Sequence, residues 1–304
     1  MDLVSDAISA VRVGRPSSTR LRVGGRWCAR LDPYEGAGFH VVLEGGCWML
    51  TEGGTALALN TGDAVLLPHG SGHVIADRPA DTATLARAVD FAQWSRTAAA
   101  NSGATAGDTE LLCGKYRLDR RHTHPLLADL PDVVHIPNRA GRHDELRAAI
   151  DLLGREVGSA RPGAAIALPS LLDLLLVYLV RAWMTDSTTS RWPAALHDPA
   201  VAAALHALHE DPARPWSNDT LAAQVGVSRA TLARRFTALV GRAPMAYLTW
   251  WRLTRAAALL RTTPDALDSI ARRVGYSTPY ALSHAFSRQY GTTPGRYRAG
   301  AVAG

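Results

Sequence analysis

Apolar positions in the last third of the chain recur at helical spacing in two copies of one pattern. The first runs Leu221, Val225, Gly226 and Ser228, then Leu232, Phe236 and Leu239, then Gly241, Pro244 and Tyr247. The second runs Ile270, Val274, Gly275 and Ser277, then Leu282 and Phe286, then Gly291, Pro294 and Tyr297. The offset is 49 from Val225/Val274 to Ser228/Ser277 and 50 from Leu232/Leu282 onward, so the second copy has one extra residue after its serine. A repeat that keeps its glycines, apolar anchors and proline has kept a fold unit. Each copy predicts a short helix, a tight turn at a glycine that tolerates positive φ, a serine N-cap (Ser228, Ser277) and a second helix with one apolar face. Between the copies, Pro244–Arg261 predicts a helix through Trp250, Leu253, Ala257 and Leu260, started by its proline.

The first hundred residues follow a different rhythm. Short runs at Arg20–Leu31, Phe39–Leu43, Cys47–Thr51, Ala56–Leu59, Ala64–Leu67 and His73–Ile75 are separated by Gly, Pro, Asn and Asp. That spacing predicts a small β-barrel or sandwich. Residues 101–110 are small and polar and read as a loop. His143–Val157 and Ile166–Met184 predict two helices, the second with more apolar surface than one packing face uses, which suggests a subunit interface. Thr185–Pro193 reads as an interdomain linker.

The outer face of each second repeat helix is small and polar: Ala230, Ala233, Arg234 and Thr237 in the first, Tyr280, Ser283, His284 and Ser287 in the second. Such a face fits against base edges in the major groove. Charge supports that reading. From Arg191 onward there are 14 arginines, no lysine and 6 acidic residues, a net of +8, whereas the first 190 residues carry a net of −2. The excess positive charge therefore lies on the part that would neutralise phosphates. Arginine outnumbers lysine 32 to 1, as in chains from GC-rich genomes.

At 304 residues, 47% apolar and 20% charged, the chain suits two globular domains. Cys28, Cys47 and Cys113 give no disulfide framework. No signal peptide is visible at Met1–Gly14. The apolar run Ile166–Trp183, interrupted by Pro169, Asp173 and Arg181, reads as a buried helix too short and too charged for a membrane span. A cytoplasmic protein without a membrane partner is expected.

Over residues 196–299 the chain resembles the AraC/XylS family of transcription regulators. The match rests on Ile270-Ala-Arg-Arg-Val-Gly-Tyr-Ser277 and on Phe286-Ser-Arg-Gln-Tyr-Gly-Thr-Thr-Pro-Gly-Arg-Tyr-Arg298. The resemblance implies two recognition helices and base contacts within 229–237 and 279–287. The DNA-facing candidates are Arg229, Ala230, Thr231, Ala233, Arg234 and Thr237, with Pro279, Tyr280, Ser283, His284, Ser287 and Arg288. The family often carries Trp or another large residue where Ala230 stands, and Arg234 is the side chain expected on a base edge. Arg235, Arg252, Arg288 and Arg298 are expected at phosphates or in structural roles.

Gly62-Asp-Ala-Val-Leu-Leu-Pro68-His-Gly70-Ser-Gly-His73 looks like the second motif of the cupin superfamily. Phe39–Trp48, Cys113-Gly-Lys-Tyr116 and His124–Pro131 extend the resemblance, to the cupin-type sensor domain of one AraC subgroup, over about residues 3–185. Cupins often hold a metal on two His, a Glu and a second-motif His. Here His40 matches the first and His73 the last, Val42 replaces the second, and Gly46 or Cys47 stands in place of the glutamate. His40, Cys47, His69 and His73 are the metal or effector candidates, with zinc or another divalent metal the cofactor that imidazole and thiolate would suit. Cys28, Cys47 and Cys113 are the redox candidates. A pocket for an organic effector, lined by Trp27, Phe39, Trp48 and the histidines, is a third reading.

The expectation is an α+β chain of two domains. A cupin-like β-barrel with flanking helices occupies 1–185, a linker 186–195, and an all-α domain of two helix-turn-helix units joined by a linker helix 196–304. The expected function is sequence-specific transcription regulation, not catalysis. Its expected partners are double-stranded DNA, a small-molecule or ion effector, a second copy of the chain and RNA polymerase. The alternative is a metal-dependent cupin enzyme, of isomerase or dioxygenase type, carrying a DNA-binding domain. No nucleophile elbow, P-loop or dinucleotide fingerprint supports that alternative.

Overall fold

A computed structural model describes residues 3–79, 81–100, 109–118, 124–157, 159, 161–187 and 190–302. The chain divides into two compact units. One is Arg12–Arg121 with Leu130–Asp186, and the other is Ser187–Gly304 with Met1–Val11 and His122–Asp129. Two short pieces of the first 185 residues thus belong to the C-terminal unit. The sequence pattern, which treats 1–185 as continuous, did not anticipate this.

Among the described residues the first unit has ten strands: β1 Ser17–Val23, β2 Cys28–Leu31, β3 Ala37–Glu44, β4 Gly46–Thr51, β5 Ala56–Asn60, β6 Ala64–Leu67, β7 His73–Ala76, β8 Val89–Asp90, β9 Thr109–Tyr116 and β10 Val134–Ile136. They form two five-stranded sheets, in the orders β1-β9-β3-β6-β10 and β5-β4-β7-β2-β8. Arg20–Leu31, expected as one run, is two strands in different sheets, broken at Gly24-Gly25-Arg26, where Gly25 has φ +70°. The expected loop at 101–110 gives way to β9 from Thr109, while 101–108 lie outside the described residues. Val42, Met49, Leu59, Val65, Ile75, Leu111 and Cys113 are among the side chains that pack between the sheets. Short helices α2 (Thr82–Ala86) and α3 (Phe91–Ala100) follow β7, and Trp94 of α3 stacks on Trp27 at 5.2 Å.

Two longer helices complete this unit, α5 (Asp144–Glu156) and α6 (Ala164–Asp186). Their contact, and the Tyr116 hydroxyl donating to Leu172 O at 2.6 Å, tie α6 to the barrel. α6 is longer than its apolar run predicted. By length and composition alone its 23 residues could cross a membrane, which corrects the expectation that the segment is too short. Leu172, Leu175, Leu176, Leu179 and Val180 are buried, whereas Ile166 and Leu174 are exposed.

The second unit is helical: α1 (Leu3–Val11), α4 (Pro125–Ala128), α7 (Arg191–His197), α8 (Pro199–Glu210), α9 (Asn218–Gln224), α10 (Arg229–Val240), α11 (Pro244–Thr262), α12 (Leu267–Arg273), α13 (Pro279–Tyr290) and α14 (Pro294–Val302). α11 is its axis. Tyr247, Leu248, Trp250, Trp251, Leu253, Ala256, Ala257 and Leu260 are buried over most of its circumference, the pattern of a helix covered on several sides. The segment expected as linker, 186–195, carries the start of α7, with Trp192, Pro193 and Ala195 buried. Trp192 N–H donates to the Asp129 carboxylate at 3.2 Å. Its polar composition hid a structured helix.

A buried polar chain pins α1 and the α4 N-cap to this axis. Leu126 N–H donates to His124 Nδ1 at 3.0 Å, so neutral His124 carries its proton on Nε2 and donates to Tyr247 Oη at 3.2 Å. Tyr247 O–H then donates to His209 Nε2 at 2.7 Å, and His209 Nδ1–H donates to the Asp6 carboxylate at 2.9 Å. One backbone amide thereby sets the direction of the whole chain. Burial holds His124 well below its ordinary pKa and lowers His209 as well.

Candidate functional site

The two helix-turn-helix units share their turns bond for bond. Val227 N–H donates to Ala222 O at 3.2 Å, and Tyr276 N–H donates to Ala271 O at 2.8 Å, 49 residues later. Gly226 (φ +73°) and Gly275 (φ +87°) supply the left-handed residue each turn requires. Ser228 caps α10 as expected, its Oγ accepting from Thr231 N–H at 3.2 Å. The cap of α13 is Thr278 and not Ser277, with Thr278 Oγ1 accepting from Ala281 N–H at 3.1 Å. This corrects the sequence reading. The extra residue lies before the cap, so the cap obeys the 50-residue offset of the helix it starts.

Leu232, Phe236 and Val240 face inward on α10, as do Leu282 and Phe286 on α13, while Leu239 and Val225 are only half-buried. Outward lie Arg229, Ala230, Arg234 and Thr237 on the first helix and Tyr280, His284 and Arg288 on the second; Tyr280 is 80% exposed. Ala233, Ser283, Ser287 and Pro279 are half-buried beside them. Thr231 is engaged by the Ser228 cap and Arg229 pairs with Asp219 at 3.6 Å. Arg234 and Arg288 have no ion pair among the described residues, leaving both guanidiniums available to DNA. Arg252 donates to Pro212 O and Arg214 O, and Arg298 to Leu260 O and Asp265 O, so both are structural. Arg235 pairs with Asp198 at 3.6 Å.

In the barrel unit the strand register brings His40, Cys113 and His73 together. β3 and β9 pair His40 with Cys113, and His40 Nδ1 lies 3.0 Å from Cys113 Sγ. His40 Nε2 lies 2.7 Å from His73 Nε2, and His73 Nδ1 lies 2.9 Å from Ser71 O. The carbonyl of Ser71 can only accept, so His73 is protonated on Nδ1 and accepts at Nε2 from His40 Nε2–H. His40 Nδ1 therefore accepts from the Cys113 thiol. Burial lowers both imidazoles, each kept neutral, and raises the Cys113 thiol.

This arrangement does not fit the expected metal. Each ring nitrogen of the two histidines already has a partner, and no group of three or more His, Cys, Asp or Glu placed to hold a metal ion occurs among the described residues. Cys47 packs in the inter-sheet core with its thiol pushed up to about 12 by burial. His69 turns away to Leu130 O at 2.8 Å. All three redox candidates are buried thiols with raised pKa, and Cys113 lines a cavity.

That cavity, of about 540 Å³, lies within the barrel unit, with His40, His73 and Cys113 at its buried end. Its volume is in the range of small-molecule sites. Trp27, Phe39 and Trp48, expected to line it, do not: Trp27 is in the core and Phe39 points to the opposite face of β3, against Tyr116. Tyr34, Phe91, Arg96 and Lys115 line it instead. The sequence pattern missed them because Tyr34 is in a loop and the other three belong to elements whose register was not legible. The motif glycine Gly70 (φ +59°) sets Tyr34: Tyr34 N–H donates to Gly70 O at 3.0 Å, and a Cβ on Gly70 would lie 2.2 Å from Tyr34 O.

A two-sheet barrel with a closed polar cluster and a side cavity, on one chain with two helix-turn-helix units that present exposed polar faces, is the architecture of a DNA-binding regulator. A cupin profile matches residues 2–185 and a helix-turn-helix domain profile residues 221–300. The chain is 35% identical over 304 residues to a Streptomyces lividans protein named an AraC-like transcription regulator, covering 98% of each. It is 34% identical over 307 residues to one of the same name from Streptomyces antibioticus, again covering 98% of each. Among solved structures it is similar to the DNA-binding domain of AdpA in complex with a target DNA, at 38% identity and TM-score 0.33, over 35% of this chain and 95% of that one. The chain belongs to the AraC/XylS family of transcription regulators, with an N-terminal cupin domain, and is a regulator rather than an enzyme.

Proposed function

We propose that this regulator binds a promoter site through α10 and α13, as a homodimer in the cytoplasm, and governs RNA polymerase there in response to a small molecule held in the barrel cavity. The observation that carries the sensing role is the cavity itself, a small-molecule-sized space on a chain whose relatives are regulators. A ligand shifts DNA binding only through different affinities for two states of the protein. The exposed apolar residues Leu152 on α5, and Ile166 and Leu174 on α6, support dimerisation through that helix pair.

Ala92 of α3 lines the cavity, and Ala92→Trp puts a bulky side chain there while changing no residue of the DNA-facing helices. The variant is expected to bind cognate DNA in vitro like the wild type while its target promoters, in the native host, stay at one output across growth conditions. Genome-wide occupancy and transcript counts measure both. A variant whose promoters respond as in the wild type would overturn the cavity as the effector site.

A further inference from the structure

The helical unit covers its large apolar side chains, with one exception among the described residues. Tyr280 is 80% exposed, while every other large hydrophobic side chain described in that unit is buried or half-buried. The remaining exposed ones, Val13, Val89, Leu152, Ile166 and Leu174, all belong to the barrel unit. The Tyr280 ring has no ring contact, cation contact or hydrogen bond with any described residue.

Local structure fixes where this ring stands. Thr278 caps α13, its Oγ1 accepting from Ala281 N–H at 3.1 Å, and Pro279 takes the first helical position, where its fixed φ suits a helix start. Tyr280 is therefore the second residue of the helix, on a rigid backbone, while Leu282 and Phe286 anchor the other face in the core. In a helix-turn-helix unit the N-terminal residues of the second helix are the ones that meet base edges in the major groove. One turn further on, His284 is exposed on the same face.

The 50-residue offset pairs Tyr280 with Ala230 and His284 with Arg234. On α10 a methyl group leaves room for a guanidinium, the group that reads guanine through O6 and N7. On α13 the stretch Pro279–Ser287 contains no arginine or lysine, and Arg288 lies in the last turn. At the end that enters the groove, α13 thus presents a flat apolar ring in place of a cation. The apolar feature that marks one base in the major groove is the C5-methyl group of thymine.

We propose that Tyr280 is a specificity-determining residue whose ring packs on the C5-methyl group of a thymine, so that α13 selects that base by apolar contact. This rests on α13 as a DNA-reading helix and names the base feature it reads. The contact also takes out of water the apolar surface that Tyr280 exposes in the free protein.

Removing that methyl group from the DNA, with every hydrogen-bonding group of the base kept, is a selective test. A cognate duplex is first enriched from a random pool by the full-length protein. Each thymine is then replaced singly by deoxyuridine, and fluorescence anisotropy measures affinity for the wild type, Tyr280→Phe and Tyr280→Ala. At one thymine the wild type is expected to lose about fourfold, the contribution of one buried methyl group. Tyr280→Phe keeps the ring and should keep that ratio. Tyr280→Ala should bring the ratio to about 1 and bind the unmodified duplex more weakly. No thymine sensitive to deoxyuridine, an unchanged ratio in Tyr280→Ala, or a ratio lost in Tyr280→Phe would overturn the proposal. Failure to enrich any sequence would instead overturn sequence reading by this chain as a whole, and the proposal with it.

Discussion

His40 Nε2 donates its proton to His73 Nε2 across 2.7 Å, which requires the accepting His73 imidazole to be neutral, and burial keeps His40 neutral beside it. The same holds for His124 and His209, buried around Tyr247 in the other unit. All four have pKa values lowered from 6.5, chiefly by burial. Below pH 6.5 the unfolded chain binds protons that the folded chain does not. Stability is therefore full above that pH and falls as the pH drops below it, by up to about 1.4 kcal/mol per pH unit for each such histidine. Urea unfolding followed by tryptophan fluorescence from pH 7.5 to 5.0 should show the decline; a flat profile contradicts the neutral assignments.

Tyr247→Phe removes one oxygen and leaves two partners, His209 Nε2 and His124 Nε2–H, buried without a bond. The expected loss is about 2–3 kcal/mol, more than for an exposed hydroxyl, because the desolvation of the orphaned groups is not recovered. Chemical denaturation of the variant beside the wild type measures it.

The two turn glycines differ in what surrounds them. Gly226 needs only its positive φ, with nothing within 4 Å of where a Cβ would stand, whereas a Cβ on Gly275 would lie 2.8 Å from both Ala213 Cα and Pro212 O. Gly226→Ala should cost about 1 kcal/mol and Gly275→Ala clearly more, because backbone must move as well. Equal thermal shifts for the two variants would show that conformation alone decides.

Arg234 and Arg288 are exposed on recognition helices without an ion pair among the described residues. Arg234→Ala is expected to narrow the gap between cognate and random DNA, as a lost base contact does. Arg288→Ala should weaken binding to every sequence and lower the salt slope by about 1, as a lost phosphate contact does. Fluorescence anisotropy at several salt concentrations separates them; identical losses on both DNAs for both variants would reject the assignment.

The 19 residues of α11 span about 28 Å at 1.5 Å per residue, less than the roughly 34 Å between successive major-groove faces. A cognate site is therefore expected to be bent when both units dock, or one unit docks imperfectly. End-to-end energy transfer on a labelled operator checks this, and a straight duplex with both recognition helices inserted would refute it.

The repeat, its turns, its capping serine at Ser228 and the exposed polar faces of α10 and α13 were legible from the chain because each depends on local spacing: an apolar face every three to four residues, a glycine where φ must be positive, a hydroxyl where a helix begins. The strand runs of the barrel were legible for the same reason. The slip of the second cap from Ser277 to Thr278 followed from the offset change and could have been read there.

What tertiary structure alone decided concerns partners distant in sequence. Cys113 meets His40 across 73 residues because β9 pairs with β3, and that pairing turned a candidate metal ligand set into a closed hydrogen-bonded chain. Lys115 comes opposite Gly38 by the same register, and Tyr34 reaches the cavity because the Gly70 backbone leaves no room for a Cβ. Asp6 meets His209 across 203 residues, placing α1 with the helical unit and not with the barrel stretch that follows it. Local periodicity fixes which face of an element is buried. Which other element covers that face depends on strand pairing and packing over the whole chain, and these residues acquire their chemistry only there.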